Sequence, residues 1–180
     1  MSKQDIIDAS AKEGQLILHI DKTIKFLAED HDIIIISGAL DEFVKIFLDA
    51  QGILEYVTDV LSTPANITDE GKIVIKSIPE KWIGPCSVTG RKLCKENVLK
   101  DYIHRKNNQY DELVYVGDGS NDFCAARTLG IKDTICPRQG YTLEKMLKKE
   151  EECISAQITP WNDGLDLIEK LSLLARQQKH

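Results

Sequence analysis

Residues 113–122 read Leu-Val-Tyr-Val-Gly-Asp-Gly-Ser-Asn-Asp, and the fold of the chain turns on them. Leu113 to Val116 fit a short core strand, and Gly117 ends it. Asp118 follows directly, between two glycines that let the backbone turn sharply and a ligand come close. Asn121 and Asp122 come one helical step later, where they can face the same point. An oxygen-rich cluster at a strand end suits Mg²⁺, which keeps its waters and takes one or two carboxylates plus a substrate phosphate. A plain turn with a helix N-cap draws on the same residue types. Directly after LVYV, the metal site is the better reading. It is not a dinucleotide loop, because GxGxxG needs glycine where Asp122 stands.

Outward from this stretch, helical and strand patterns alternate. Residues 15–29 place Leu16, Ile20, Ile24 and Leu27 at helical spacing. Ile33 to Ile36 are four β-branched residues in a row, which reads as a strand buried on both faces and closed by Ser37-Gly38. Residues 41–51 read as a helix stopped by Gly52, and Tyr56 to Leu61 as a strand. Residues 62–92 form a turn-rich excursion in which residues 72–76 give half of a hairpin. A helix over 93–106 with Leu93, Val98 (or Asn97), Tyr102 and Ile103 inward precedes the deciding stretch. After it come a short helix (122–129), a strand (131–136), a helix (143–152) and a strand (154–159). Asn162 then caps a closing helix with Leu165, Ile168, Leu171 and Leu174 on one face. The alternation predicts an α/β fold with a doubly wound, Rossmann-like parallel sheet, formed by residues 1–180 as a single domain.

The composition fits a soluble globular protein: of 180 residues, 42% are hydrophobic and 29% charged. The net charge is −6, and residues 1–90 carry all of the acidic excess. Arg91, Lys92, Lys95, Lys100, Arg105 and Lys106 are the only basic concentration, so no nucleic-acid face is expected. No apolar run reaches membrane-spanning length, so no membrane partner is expected either. Five cysteines without a secretory signal point to a reducing, cytoplasmic setting. Cys86 and Cys94 lack a second ligand pair, which makes a zinc site the weaker reading beside free thiols.

Ligands of open α/β sheets bind beyond the carboxyl ends of the strands. Ser37 and Gly38 stand at one such end and can offer a hydroxyl and backbone N–H groups to a phosphate. Lys95, at the start of the helix after Cys94, supplies the cation. The set of Ser37, Lys95 and the GDGxND of Gly117–Asp122 resembles the haloacid dehalogenase superfamily of phosphatases. Within it, the similarity is to the phosphatases acting on phosphoethanolamine, phosphocholine and pyridoxal phosphate, and to plant-type thiamine monophosphate phosphatases. It is carried by residues 34–40 (IIISGAL), 86–103 (CSVTGRKLCKENVLKDYI), 115–124 (YVGDGSNDFC), 136–147 (CPRQGYTLEKML) and 158–161 (ITPW).

The resemblance implies a small phosphorylated metabolite as substrate and Mg²⁺ as cofactor. Lys95, Asp118 and Asp122 would be catalytic, Ser37, Gly38 and Lys95 would hold phosphate, and Asp118 would ligate the metal with support from Asn121 and Asp122. An aspartate attacks phosphorus in this superfamily, and water hydrolyses the aspartyl-phosphate. That aspartate belongs to a DxDxT motif on the first strand, which is absent here. The nearest match, Asp21-Lys22-Thr23, lies within a helical pattern and lacks the partner aspartate. The helical cap is absent too, Ser-Asp-x-Asn is replaced by Ser37-Gly38-Ala39-Leu40, and Thr89 stands where a middle cysteine is usual. The expectation is an N-terminally incomplete form of a longer phosphatase, or a relative that binds phosphate, metal or a partner without turnover. The missing strand would be central, so two unpaired inner edges would favour self-association. A receiver-like or nucleotide-binding domain is disfavoured by the lack of a P-loop and of a first-strand acidic pair.

Overall fold

A computed structural model describes residues 2–84, 93–107 and 109–177. Cys86, Arg91 and Lys92, on which parts of the zinc and basic-run readings fall, lie outside these residues. The chain is mixed α/β and forms two compact units, one of residues 1–78 and 163–168, the other of residues 79–162 and 169–180.

The first unit opens with α1 (Lys3–Glu13), where the sequence reading placed no element, and α2 (Ile20–Leu27). The helix expected over 15–29 starts late because His19 takes a left-handed conformation (φ 63°) just before it. Strand β1 (Ile34–Leu40) pairs in parallel with β2 (Asp59–Thr63), and α3 (Asp41–Ala50) connects them. Ser37-Gly38 does not close β1: the strand runs on to Leu40 through an irregular register after Ile36. Nor is the isoleucine run buried on both faces; Ile34, Ile35 and Ile36 are only half-buried, because β1 has β2 as its single neighbour among the described residues. The expected excursion hairpin is present as β3 (Ala65–Ile67) against β4 (Ile73–Ile75), with all three β4 side chains exposed.

The second unit contains α4 (Lys95–Arg105), which buries Val98 and Tyr102. Strands β5 (Val114–Gly117), β6 (Thr134–Pro137) and β7 (Gln157–Ile158) make a parallel sheet in the order β5-β6-β7. Helix α5 (Phe123–Ala126) follows β5, and α6 (Thr142–Lys149) follows β6. The core gathers Phe123, Ala126, Leu129, Ile135, Leu143, Leu147 and Ala156 around β6, whose four residues are all buried. β5 departs from the core strand expected of it: Val114 and Val116 are 38% and 39% exposed, since β5 is paired on one side only among the described residues. Ile131, expected in the next strand, is exposed.

Helix α7 (Gly164–Gln177) is capped one residue later than expected: the Asp163 carboxylate, not Asn162, accepts the N–H groups of Leu165 (2.9 Å) and Asp166 (3.1 Å). Of the face expected to point inward, Leu171 is buried and Ile168 and Leu174 are half-buried, whereas Leu165 is exposed and Leu167 is buried instead. Gly164 allows the start of α7 to meet α2. A Cβ there would lie 2.1 Å from His19 O and 2.6 Å from Thr23 Oγ1, and the buried Thr23 hydroxyl donates to Gly164 O at 2.8 Å. Among the described residues no helix is long and apolar enough to cross a membrane.

Candidate functional site

The carboxyl end of β5 in the second unit brings four of the sequence-derived residues together: Lys95, Asp118, Asn121 and Asp122. The centre is the Asp122 carboxylate, which is 5% exposed. Its Oδ1 accepts from Lys95 Nζ at 2.7 Å and from Tyr115 OH at 2.9 Å. Its Oδ2 accepts from the N–H groups of Gly119 (2.9 Å) and Asp118 (3.2 Å). Burial acts to raise the Asp122 pKa, but the Lys95 charge and these hydrogen bonds outweigh it and hold the carboxyl below its ordinary value. Burial, and then the Asp122 charge, push the Tyr115 phenol up, so Tyr115 stays a donor.

Local sequence explains each placement. Lys95 is the first residue of α4, and the start of that helix is held by Cys94 N–H donating to Trp82 O at 2.9 Å and by an antiparallel bridge between Ile83 and Leu93. The lysine reaches inward, 14% exposed, across 27 residues of sequence to Asp122. Gly117 and Gly119 are required by close approach rather than by turn conformation, since neither has a positive φ. A Cβ on Gly117 would sit 2.7 Å from Asp122 Cγ, and one on Gly119 2.7 Å from Asn121 Oδ1. Missing methyl groups make the room in which Asp122 and Asn121 fold back over the turn.

The two carboxylates thus have different duties. Asp122 is saturated by four donors and balances Lys95, so it positions the lysine and the 117–119 turn. Asp118 has an exposed carboxylate with no ion pair or hydrogen bond to it among the described residues, while its carbonyl accepts from Leu143 N–H at 2.9 Å. Asp118, with the Asn121 Oδ1 nearby on the same turn, is the donor set left for a cation. Among the described residues no three His, Cys, Asp or Glu side chains form a ready-made metal cage. Magnesium held by one or two carboxylates and a phosphate needs none.

Ser37 and Gly38 belong to the first unit. The Ser37 hydroxyl accepts from Ala39 N–H at 3.1 Å, and Gly38, exposed, gives its carbonyl to Thr63 Oγ1 at 3.2 Å. The Asp21-Lys22-Thr23 triplet is in α2, with Thr23 buried and engaged at Gly164. Cys94 is a buried free thiol.

Sequence reasoning missed Tyr115 and Arg138. Tyr115 sits two residues before Gly117, the alternation that turns a strand side chain to the same side as the strand end. Arg138 follows β6 immediately and donates its N–H to Gly117 O at 2.9 Å, next to the Asp118 turn.

The chain matches the family described as "Putative Phosphatase" over residues 2–175. It is 31% identical over 151 residues to mouse "Pyridoxal phosphate phosphatase PHOSPHO2", covering 81% of this chain and 61% of that protein. The human protein of the same name is 30% identical over 151 residues, with the same coverage. The human "Phosphoethanolamine/phosphocholine phosphatase" is 29% identical over 143 residues, 76% of this chain and 52% of that one. The chain therefore spans between half and two thirds of the length of these relatives.

Proposed function

Since the chain belongs to the "Putative Phosphatase" family, we propose that it serves the Mg²⁺-dependent hydrolysis of a phosphate monoester of a small metabolite. Relatives named for pyridoxal phosphate, phosphoethanolamine and phosphocholine suggest the substrate class; thiamine monophosphate is a further member of it. The observation that carries this reading is the buried Lys95–Asp122 pair (2.7 Å) beneath a turn whose other carboxylate, Asp118, is free.

Each side chain has a task in this reading. Asp122 fixes Lys95 against the turn, so the ammonium keeps two N–H bonds to direct at phosphate oxygens. Asp118, joined by Asn121, would hold the magnesium ion, which when bound supplies Lewis-acid stabilisation of phosphoryl charge. In the first unit, the Ser37 hydroxyl accepts from Ala39 N–H and keeps its own O–H as a donor suited to an anion. Asp122 would act in catalysis through Lys95, because its oxygens are already taken.

A second reading has an observation of its own. No strand among the described residues ends in Asp-x-Asp, and Asp21 lies in a helix. This favours phosphate and metal binding without turnover by this chain. One experiment separates the two. Phosphate release from pyridoxal phosphate, phosphoethanolamine, phosphocholine and thiamine monophosphate is measured with Mg²⁺ and after EDTA, alongside an Asp118→Asn variant. EDTA-sensitive release lost in the variant is the result expected of the enzyme. No release, with Mg²⁺ binding weakened by the variant, is expected of the binding protein. Release that persists in EDTA would exclude the magnesium role.

A further inference from the structure

Residues 136–147 and 158–161 meet at one side chain. The Arg138 guanidinium lies over the Tyr141 ring, 4.3 Å from its centroid, with the Trp161 ring centroid at 5.9 Å. Trp161 is buried and fixed: its Nε1–H donates to Cys136 O at 2.9 Å, its backbone N–H to Pro137 O at 3.1 Å, and its carbonyl accepts from Gln139 N–H at 2.8 Å. A guanidinium stacked in this way has lost most of its rotamer freedom, and no hydrogen bond or ion pair among the described residues occupies its N–H edge, which suits a planar or tetrahedral oxyanion. No carboxylate lies within ion-pair distance of Arg138 among the described residues; its ring contacts are its only side-chain partners there.

Its position is as telling. Arg138 N–H donates to Gly117 O, and Leu143 N–H donates to Asp118 O, both at 2.9 Å. The 138–143 segment is thus bonded to two successive carbonyls of the turn, those of Gly117 and Asp118. That puts Arg138 at the carboxyl ends of two adjacent parallel strands, β5 and β6, where ligands of such sheets bind. Charge sharpens the point. Lys95 is already balanced by Asp122, whereas Arg138 is not balanced by any acid among the described residues. An arriving dianion meets its uncompensated positive charge at Arg138.

We propose that Arg138 is an anion-recognition residue of this site, its guanidinium binding the oxygens of a phosphate group. The proposal rests on the phosphatase reading only for the choice of anion, since binding requires no turnover. The competing role is a purely structural clamp between α6 and the 158–161 segment.

The test titrates inorganic phosphate into the full chain at constant ionic strength, with chloride as the control, and follows backbone amide shifts. Saturable binding that moves the Gly117, Asp118 and Gly119 amides is expected. Arg138→Gln should weaken it by about tenfold or more, and Arg138→Lys, which keeps charge but loses the planar fork, by about threefold or more. Arg138→Gln binding within about twofold of wild type, or no saturable phosphate binding by wild type, would overturn the proposal. If Arg138→Gln does not fold, Arg138→Lys decides: unchanged binding refutes the role. Release of phosphate from pyridoxal phosphate is measured on the same samples. Turnover by wild type with unaltered phosphate binding in the variants removes the Arg138 role alone. No turnover, with phosphate binding lost in Arg138→Gln, removes the hydrolase reading and keeps the Arg138 role.

Discussion

Replacing Asp122 with Asn tests the centre of the site through stability alone, so the outcome does not depend on catalysis. The wild-type carboxylate accepts four hydrogen bonds, two on each oxygen. An Asn side chain offers one accepting oxygen and one NH₂ group. Whichever way the amide is turned, two donors face a donor. Lys95, 14% exposed, is also left with a charge that nothing balances. Removing one partner of such a buried pair costs about 3–5 kcal/mol, which for a chain of this size lowers Tm by roughly 6–20 °C. Urea unfolding followed by circular dichroism at pH 7 reads this directly. A Lys95→Met, Asp122→Asn double variant should regain about 1–3 kcal/mol over Asp122→Asn, because the stranded charge is gone. The pH dependence has a definite sign. The folded Asp122 pKa lies below its ordinary 3.8, so the stabilisation is complete above that value and is lost as pH falls through the lower folded value. The gap between wild type and Asp122→Asn should therefore be full at pH 7 and shrink below about pH 3.8. A variant within about 1 kcal/mol of wild type, or a gap that ignores pH, would refute the reasoning.

Three further outcomes follow from the same geometry. Tyr115→Phe removes one donor to a buried carboxylate and should cost about 1.5–3 kcal/mol in the same urea assay, an effect that should shrink in the Asp122→Asn background, where the acceptor is no longer charged. Gly164→Ala drives a methyl group against the His19 carbonyl at 2.1 Å, a backbone atom that cannot swing aside, and should cost about 1–3 kcal/mol or more by thermal melting. In peptide mapping after alkylation at pH 8, exposed Cys153 should be labelled quickly. Cys136, whose thiol burial pushes up to about 12 against the opposing pull of Lys170, should stay unlabelled until urea unfolds the chain.

How much of this was legible in the sequence differs from residue to residue. The α/β alternation, the excursion hairpin and the placing of Lys95 at a helix start were readable, because each rests on local periodicity or a local stop signal. The closing helix keeps Leu171 inside as its periodicity predicts, but its cap lies one residue later and Leu165 is outside the buried face. Asp163 and Asn162 are both good caps, and only the fold decides which carboxylate or amide turns back to the helix. Ile34–Ile36 and Val114–Val116 look like core strands by composition. Their burial depends on having a strand on each side, which composition does not specify. The division of labour between Asp118 and Asp122 was also hidden. Both are acidic residues of one short turn, and what separates them is Lys95, 27 residues away, together with a tyrosine hydroxyl. Arg138 is silent in the sequence, since a lone arginine after a strand carries no signal until its aromatic neighbours are known.

The one-sided pairing of β5 also sets a clock on the backbone. β6 is flanked by β5 and β7, and all four of its residues are buried, so the Thr134, Ile135 and Cys136 amides should open to solvent only with the unfolding of the second unit. In β5, the amides that face away from β6 have no such protection among the described residues. Hydrogen–deuterium exchange should therefore run at two rates within a single strand, fast and slow by alternate residues. The slow set marks the part of the sheet that is already complete. The fast set marks the edge that a further parallel strand would silence, which makes deuterium uptake along Val114–Gly117 a sensitive meter of whether anything has docked there.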